Sequence, residues 1–302
     1  MQKKIQARPF LKWAGGKSQL IPEVEKLLPD DISSTPYTYI EPFVGSGAVL
    51  FWLLNHYSNL KRVVINDINK DLINTYRVIA HNPKELIECL SIFQKEYHAI
   101  DEDEEGKKSY YYDKRKIFND RKEGQVYQAA LFIFLNRTCF NGLYRVNRNN
   151  EFNVPIGRYK KPTICDVDNI LEVHKALEEV EILSLDFEET LGYAQNKTLF
   201  YIDPPYKPLS DTSSFNSYSQ NDFNDEEQIR LRDFCEKLDQ LNCVWILSNS
   251  DVKAGDNGNF FFDELYAEYC IQRVHAKRSI NANAQKRGLL TELLITNQMK
   301  HC

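Results

Sequence analysis

Asp203, Pro204, Pro205 and Tyr206 follow directly on the apolar run from Thr198 to Ile202. An exocyclic amine on a nucleobase is a poor nucleophile, because its lone pair is delocalised into the ring. Acceptors for its two N–H bonds draw that pair out as the nitrogen becomes tetrahedral. Asp203 offers a carboxylate and Pro204 a backbone carbonyl for this task. The prolines have no N–H to compete and fix φ, which holds the loop in one shape. Tyr206 adds a flat face for a base swung out of a helix. An ordinary Pro-Pro turn with an incidental acid carries the same letters, so the tetrad needs partners before it means catalysis.

The elements around it form a strand–helix alternation. Tyr37 to Glu41 is a short strand pattern, followed by a glycine turn and an apolar helical run from Ala48 to Asn55. A strand from Arg62 to Asn66 ends at Asp67, and residues 71–98 read as helices broken at Asn82-Pro83. Asp101 to Lys108 reads as a charged loop, and Val126 to Leu135 as an apolar helix. Residues 136–161 hold too many Asn, Gly and Pro for regular structure. The alternation resumes with strands at Ile182 to Leu185 and Leu199 to Ile202, a helix from Asp225 to Leu241, and strands at Val244 to Leu247 and Thr291 to Thr296. The Ser/Asn/Asp-rich stretch from Ser210 to Asn224, directly after the tetrad, is expected to be a mobile flap. The pattern is an α/β sheet whose two parts, 1–68 and 167–302, are separated by an insertion over 69–166.

A second site belongs at the first strand–helix turn, Glu41-Pro42-Phe43-Val44-Gly45-Ser46-Gly47, since ligands of open α/β sheets bind at the carboxyl edge of the strands. Gly45 and Gly47 let backbone approach a ligand, but the third glycine of a dinucleotide fingerprint falls on Leu50. Asp67 is placed to accept bonds from ribose hydroxyls. An adenosine ligand without a pyrophosphate, such as S-adenosylmethionine, fits both facts and is a methyl electrophile. A plain tight turn and an N-cap at Asp67 are the other readings of these residues. Gly16-Lys17-Ser18 matches the end of a phosphate-binding loop, but residue 11, where its first glycine belongs, is leucine, which argues against an NTPase. Trp13 and Lys17 could instead pack over the cofactor and pair its carboxylate.

With 302 residues, 42% hydrophobic and 27% charged, the chain can bury one large or two small cores. Its seven cysteines are scattered and odd in number, which argues against a disulfide framework or a cysteine-based zinc site and for a reducing compartment. No metal site is expected. Nothing approaches the roughly 20 apolar residues of a membrane span, so a cytoplasmic protein is expected. The net charge of −5 argues against global attraction to nucleic acid. Locally, residues 136–161 set Arg137, Arg145, Arg148, Arg158, Lys160 and Lys161 against Glu151 alone. Residues 272–287 hold Arg273, Lys277, Arg278, Lys286 and Arg287 without an acid. Such stripes suit phosphate, though solvated basic surface has the same composition.

Together these motifs, with Asn66-Asp67-Ile68-Asn69 and the segment Asn136 to Arg145, resemble the Dam-type DNA adenine N6-methyltransferases over essentially the whole chain. The resemblance implies a Rossmann-like methyltransferase sheet that uses S-adenosylmethionine, with an inserted, mainly helical target-recognition domain. It implies that Trp13, Lys17, Asp67 and Asp203 lie at the cofactor, that Phe43, Gly45 and Gly47 line its methionine end, and that Asp186 and Phe187 hold its adenine. An N-cap and a core aromatic are the plain readings of that last pair. The turn departs from the all-glycine form at Ser46.

By the same resemblance the recognition elements are those of members that modify GATC. Arg145 would read a guanine, Phe140 would wedge beside the flipped adenine, with Asn141 next to it, and Pro155 would meet a thymine methyl. Arg137 and Lys160 would meet phosphates. Double-stranded DNA is the implied partner, in a prokaryote or virus, for a monomer or weak dimer. A cognate restriction endonuclease would be a functional rather than a physical partner. Methylation of cytosine N4 is an alternative, although its usual tetrad opens with serine. RNA fits less well, because no base-stacking RNA module is present. A DNA-binding protein of this fold without catalysis is the alternative of a different class.

Overall fold

Strands buried on both faces need side chains that tolerate apolar surroundings on both sides of the pleat, and the chain supplies such strands at its catalytic motifs. A computed structural model describes residues 6–13, 17–100, 103–207, 223–255, 259–277 and 289–298 together with Cys302. Its strands are Thr38–Glu41 (β1), Arg62–Asn66 (β2), Val180–Leu183 (β3), Thr198–Ile202 (β4), Val244–Ser250 (β5), Cys270–Lys277 (β6) and Leu289–Thr296 (β7). They form one seven-stranded sheet in the order β3-β2-β1-β4-β5-β7-β6. The first five are parallel, while β7 runs antiparallel to both β5 and β6.

Every residue of β1 and β4 is buried. Tyr39, Leu199 and Tyr201 face one side, with Phe51, Tyr76 and Phe134. Ile40, Phe200 and Ile202 face the other, with Phe234, Leu238 and Phe262. After β1 the chain turns toward β2, where Val44 N–H donates to the Asn66 carbonyl at 2.9 Å. After β4 it turns toward β5, where Lys207 N–H donates to Asn249 Oδ1 at 3.4 Å. The two connections diverge, and a crevice at the carboxyl ends of β1 and β4 follows from the topology.

Between β2 and β3 lie the helices Lys70–His81 (α3), Pro83–Ala99 (α4), Glu104–Asp120 (α5) and Gln125–Thr138 (α6), then an irregular hairpin, and then Val167–Ala176 (α7). They are preceded by Ile21–Lys26 (α1) and Ala48–His56 (α2). The break between α3 and α4 falls at Asn82, with Pro83 in the first turn of the second helix, where its missing N–H costs nothing. The apolar core runs unbroken from β1 through α3 into α6 and the hairpin residues Phe152 and Val154. None of the described helices is long and apolar enough to cross a membrane.

Several expectations change. The charged loop expected through Lys108 is helix from Glu104, because Asp103 caps it by accepting the Glu105 N–H at 3.1 Å. The strand expected from Ile182 begins at Val180. The basic stretch after residue 272 begins inside β6, and Arg273 is not free for phosphate: it pairs with Asp263 at 2.7 Å and Asp251 at 3.2 Å. Arg278, Lys286 and Arg287 lie outside the described residues, as do Ser210 to Asp222 of the expected flap. Cys270 and Cys302 form a disulfide with Cα atoms 5.2 Å apart, which runs against the reading of the scattered cysteines as unpaired, because strand β6 brings Cys270 to the end of the chain.

Asn66 ties the strand ends together. Its Nδ2 donates to the carbonyls of Pro42 and Leu185, each at 3.0 Å, and its Oδ1 accepts from Leu185 N–H at 2.8 Å. Replacing Asn66 by alanine orphans buried backbone groups on two connections, and should lower the unfolding free energy by about 2 kcal/mol or more. Urea denaturation checks this, and a change within about 0.5 kcal/mol, the range of an ordinary surface substitution, would contradict it.

Candidate active site

The crevice begins with Glu41, the last residue of β1, which is almost wholly buried and accepts the Tyr39 hydroxyl at 2.7 Å. Burial pushes its carboxyl well above the usual range, and the nearby charges of Asp203 and Asp67 push the same way. The turn that follows needs glycine where the sequence has it. Gly45 (φ +48°) and Gly47 (φ +74°) are left-handed, and a Cβ at Gly47 would stand 2.7 Å from the Tyr76 hydroxyl.

Asp67 closes this turn. Its Oδ2 accepts from Gly45 N–H at 3.1 Å and its Oδ1 from Asn69 N–H at 2.9 Å. Burial raises its pKa to about 6 against the pull of those two amides. The helix cap is Asn69, which accepts from the N–H groups of Asp71 and Leu72, so the N-cap reading of Asp67 does not hold. Trp13 lies against Gly45, whose absent Cβ would be 3.1 Å from the indole nitrogen. The same indole stacks on Tyr144, with centroids 5.5 Å apart.

On the other side of the turn, the Phe43 ring is 5.4 Å from that of Phe187 and 5.7 Å from that of Phe223. Asp186 caps the short helix Phe187–Tyr193 in a capping box with Glu189, and Arg230 pairs with its Oδ1 while lying over the Phe187 ring. Both plain readings of this pair, cap and core aromatic, describe what is seen, and both residues stand at the edge of the Phe43 cluster.

The tetrad leaves β4 beside β5. Asp203 Oδ1 accepts from Ser248 Oγ at 2.8 Å and lies 3.3 Å from Lys17 Nζ. Burial raises the Asp203 pKa, with Lys17 and Ser248 opposing the shift. Lys17 is 6% exposed and also lies 3.5 Å from Glu292 Oε2, on β7. It donates to the Tyr206 hydroxyl at 2.5 Å, and that hydroxyl donates to Glu292 Oε2 at 2.8 Å. Pro204 is buried, and the Pro205 carbonyl accepts from Gln228 Nε2 at 3.2 Å. Ala14, Gly15 and Gly16, between Trp13 and Lys17, lie outside the described residues.

A hairpin, bridged at Cys139 with Ile156 and at Val146 with Phe152, stands beyond Trp13. Phe140 is 50% exposed although large and apolar, and its N–H donates to the Pro155 carbonyl at 2.8 Å. Asn141 is left-handed and exposed. Arg145, Pro155 and Lys160 are exposed too, and Arg145 Nε donates to Asn153 Oδ1 at 2.7 Å. Arg137 differs from its expected place on phosphate. It turns inward, Nη2 donating to the Phe10 carbonyl at 2.8 Å, and burial lowers its pKa.

Residues 13–280 match the D12 class of N6 adenine-specific DNA methyltransferases. The chain belongs to this family. The type II methyltransferase M.MjaIII of Methanocaldococcus jannaschii is 48% identical over 298 residues, which cover 97% of this chain and all of the relative. The DNA adenine methylase of Haemophilus influenzae is 38% identical over 97% of this chain and 95% of its own. That of Escherichia coli is 33% identical over 95% of this chain and 94% of its own. Adenine N6 is the family's methyl acceptor, which sets aside cytosine N4.

In this adenine methyltransferase, three site residues carried no role in the motif reading. Glu41 sat inside a motif read for its glycines. Ser248 lay just beyond the strand expected to end at Leu247, which in fact runs to Ser250. Glu292 is an acid inside the apolar run Leu289 to Thr296, and that interruption is the one sign of function it gave. At the glycine turn, Gly47→Ala combines a left-handed backbone, costing about 1–2 kcal/mol for an L-residue, with the clash against Tyr76. Its unfolding midpoint should fall well below that of Ser46→Gly, and equal midpoints would contradict this reading of the turn.

Proposed function

We propose that this DNA methyltransferase transfers a methyl group from S-adenosylmethionine to N6 of adenine in double-stranded DNA, at GATC, with the target base flipped out of the duplex. The observation that carries the reading is the juxtaposition at the carboxyl ends of neighbouring strands. β1 leads into a glycine turn closed by a half-buried Asp67, and β4 leads into Asp203-Pro204-Pro205-Tyr206.

The residues present fit the cofactor. The left-handed backbone at Gly45 and Gly47 shapes the turn that Trp13 and Tyr76 pack against, Asp67 is a half-buried acceptor for ribose hydroxyls, Phe187 offers a ring for adenine, and Phe43 beside it lines the methionine end. Trp13 packs on the turn and Asp186 marks its adenine side. When bound, S-adenosylmethionine supplies a sulfonium-borne methyl group for direct displacement, with no covalent enzyme intermediate. Asp203 and the Pro204 carbonyl accept the N–H bonds of the amine and make its lone pair available. Among the described residues, both polar partners of Asp203 lie on Oδ1, so Oδ2 is the oxygen assigned to the amine. Tyr206 supplies the stacking face, and Lys17 holds that ring from one side, 3.8 Å from its centroid.

The hairpin within 69–166 is the target-recognition element. Its exposed Phe140, next to Asn141, is placed to fill the space of the flipped base. Arg145 reads guanine O6 and N7, Pro155 meets the thymine methyl and Lys160 meets phosphate. Relatives that carry the name DNA adenine methylase support adenine in DNA as the methyl acceptor, and the GATC assignment rests on the resemblance of the segment Phe140 to Arg145 to the recognition elements of GATC-modifying members.

Labelled methyl transfer to two duplexes that differ only in GATC tests the reading. N6-methyladenine in the GATC duplex alone is expected, and labelling of both would sink the assignment of the target. Arg145→Ala should reduce discrimination at its base pair by about 1–3 kcal/mol with turnover on the correct site less affected. Cofactor affinity should fall as pH drops through about 6, because Asp67 accepts ribose hydroxyls best when ionised and protonates there. Titration by calorimetry that stays flat between pH 7.5 and 5 would contradict the role of Asp67.

A further inference from the structure

Glu292 takes no part in the motifs above, yet it touches two groups that do. It stands on β7 opposite Ser250 of β5 and Val274 of β6, so the antiparallel end of the sheet carries it to the tetrad. Its Oε2 accepts the Tyr206 hydroxyl at 2.8 Å and lies 3.5 Å from Lys17 Nζ. The same ammonium is 3.3 Å from Asp203 Oδ1 and 3.8 Å from the centre of the Tyr206 ring. One buried cation is thus shared between two carboxylates.

We infer that Glu292 is a positioning residue for methyl transfer, which divides the charge of Lys17 with Asp203 and anchors Tyr206 through its hydroxyl. The inference rests on the roles proposed for Asp203 and Tyr206. A carboxylate paired with an ammonium of its own is a weakened acceptor for the substrate amine. With Glu292 drawing on Lys17, Asp203 keeps acceptor strength for the amine. Anchoring the hydroxyl while Lys17 covers one face of the ring leaves the opposite face for the base.

The groups facing Asp203 set the sign of the pH effect. Lys17 and the Ser248 hydroxyl favour its ionised form, and the negative charge of Glu292 opposes it. Asp203 in turn raises the pKa of Glu41 and Tyr39 on β1, of Tyr201 on its own strand, and of Tyr206, each of which burial already pushes up. Burial holds Asp203 above the ordinary carboxylate value of 3.8. Activity that needs its carboxylate is therefore present above that raised pKa and lost as pH falls through it. Removing the charge of Glu292 must lower the pKa.

The test is single-turnover methylation of a GATC duplex at saturating S-adenosylmethionine across pH, for wild type and Glu292→Gln. Saturation removes the contribution of Asp67 through affinity. The glutamine can still accept from Tyr206 but cannot share Lys17. A plateau rate about 10- to 100-fold lower is expected, with the acid limb displaced downward. Tyr206→Phe, which breaks the anchor and leaves both charges, should slow transfer with the limb in its wild-type place. An unchanged or raised rate in Glu292→Gln, a loss by one factor at every pH, or wild-type turnover in Tyr206→Phe would overturn the inference. If wild type itself leaves the adenine unmethylated, the functional reading fails. If wild type methylates and the variants match it, only the role of Glu292 falls.

Discussion

Crowding of carboxyl groups at the carboxyl edge of the sheet is the constraint to which the rest of the site responds. Glu41, Asp67, Asp203 and Glu292 come together because β1, β2, β4 and β7 end or pass there. Glu41 is buried and the other three are partly buried, so each charge would be costly if left alone. Each is answered differently. Glu41 takes the Tyr39 hydroxyl and is pushed toward its neutral form. Asp67 is held by two backbone amides, which glycine at 45 allows to approach. Asp203 and Glu292 divide a single lysine. The acids therefore differ in charge and in use, although all lie in one crevice.

The cofactor end and the recognition hairpin are also joined mechanically. Asn136, at the end of α6, accepts from Lys12 N–H and donates to the Lys12 carbonyl, both at 2.8 Å, and donates to Gly142 at 3.0 Å. Gly142 has no room for a Cβ, since Lys12 would lie 2.5 Å from it. One residue further on, Trp13 contacts both Gly45 and Tyr144. A short stretch of chain thus ties the turn after β1 to the hairpin that carries Phe140. Rigid placement of this kind is what a displacement reaction between two bound groups requires.

Much of this was legible where the cause is local. The buried strands β1, β2, β4 and β5 announce themselves by apolar runs ending in turn residues, and the α3–α4 break by Asn82-Pro83. The tetrad and the glycine turn could be assigned because their residue types suit so few other tasks in combination. The rest depends on partners far away in sequence. Glu292 acquires its role only when β7 pairs with β5, and Ser248 only when β5 lies beside β4. Arg137 looked like surface charge until Phe10 supplied a carbonyl, and Arg273 until Asp251 and Asp263 were brought to β6. Residues 104–108 looked like a loop because their charge hid a helix started by Asp103.

The central claim is that Asp203 acts on the amine and is not required to hold the DNA. Asp203→Ala, assayed for turnover at saturating S-adenosylmethionine alongside its affinity for a GATC duplex, tests this most directly. The account predicts that methylation is lost while the affinity for DNA stays within a few-fold of wild type. Methylation that survives the substitution would contradict it.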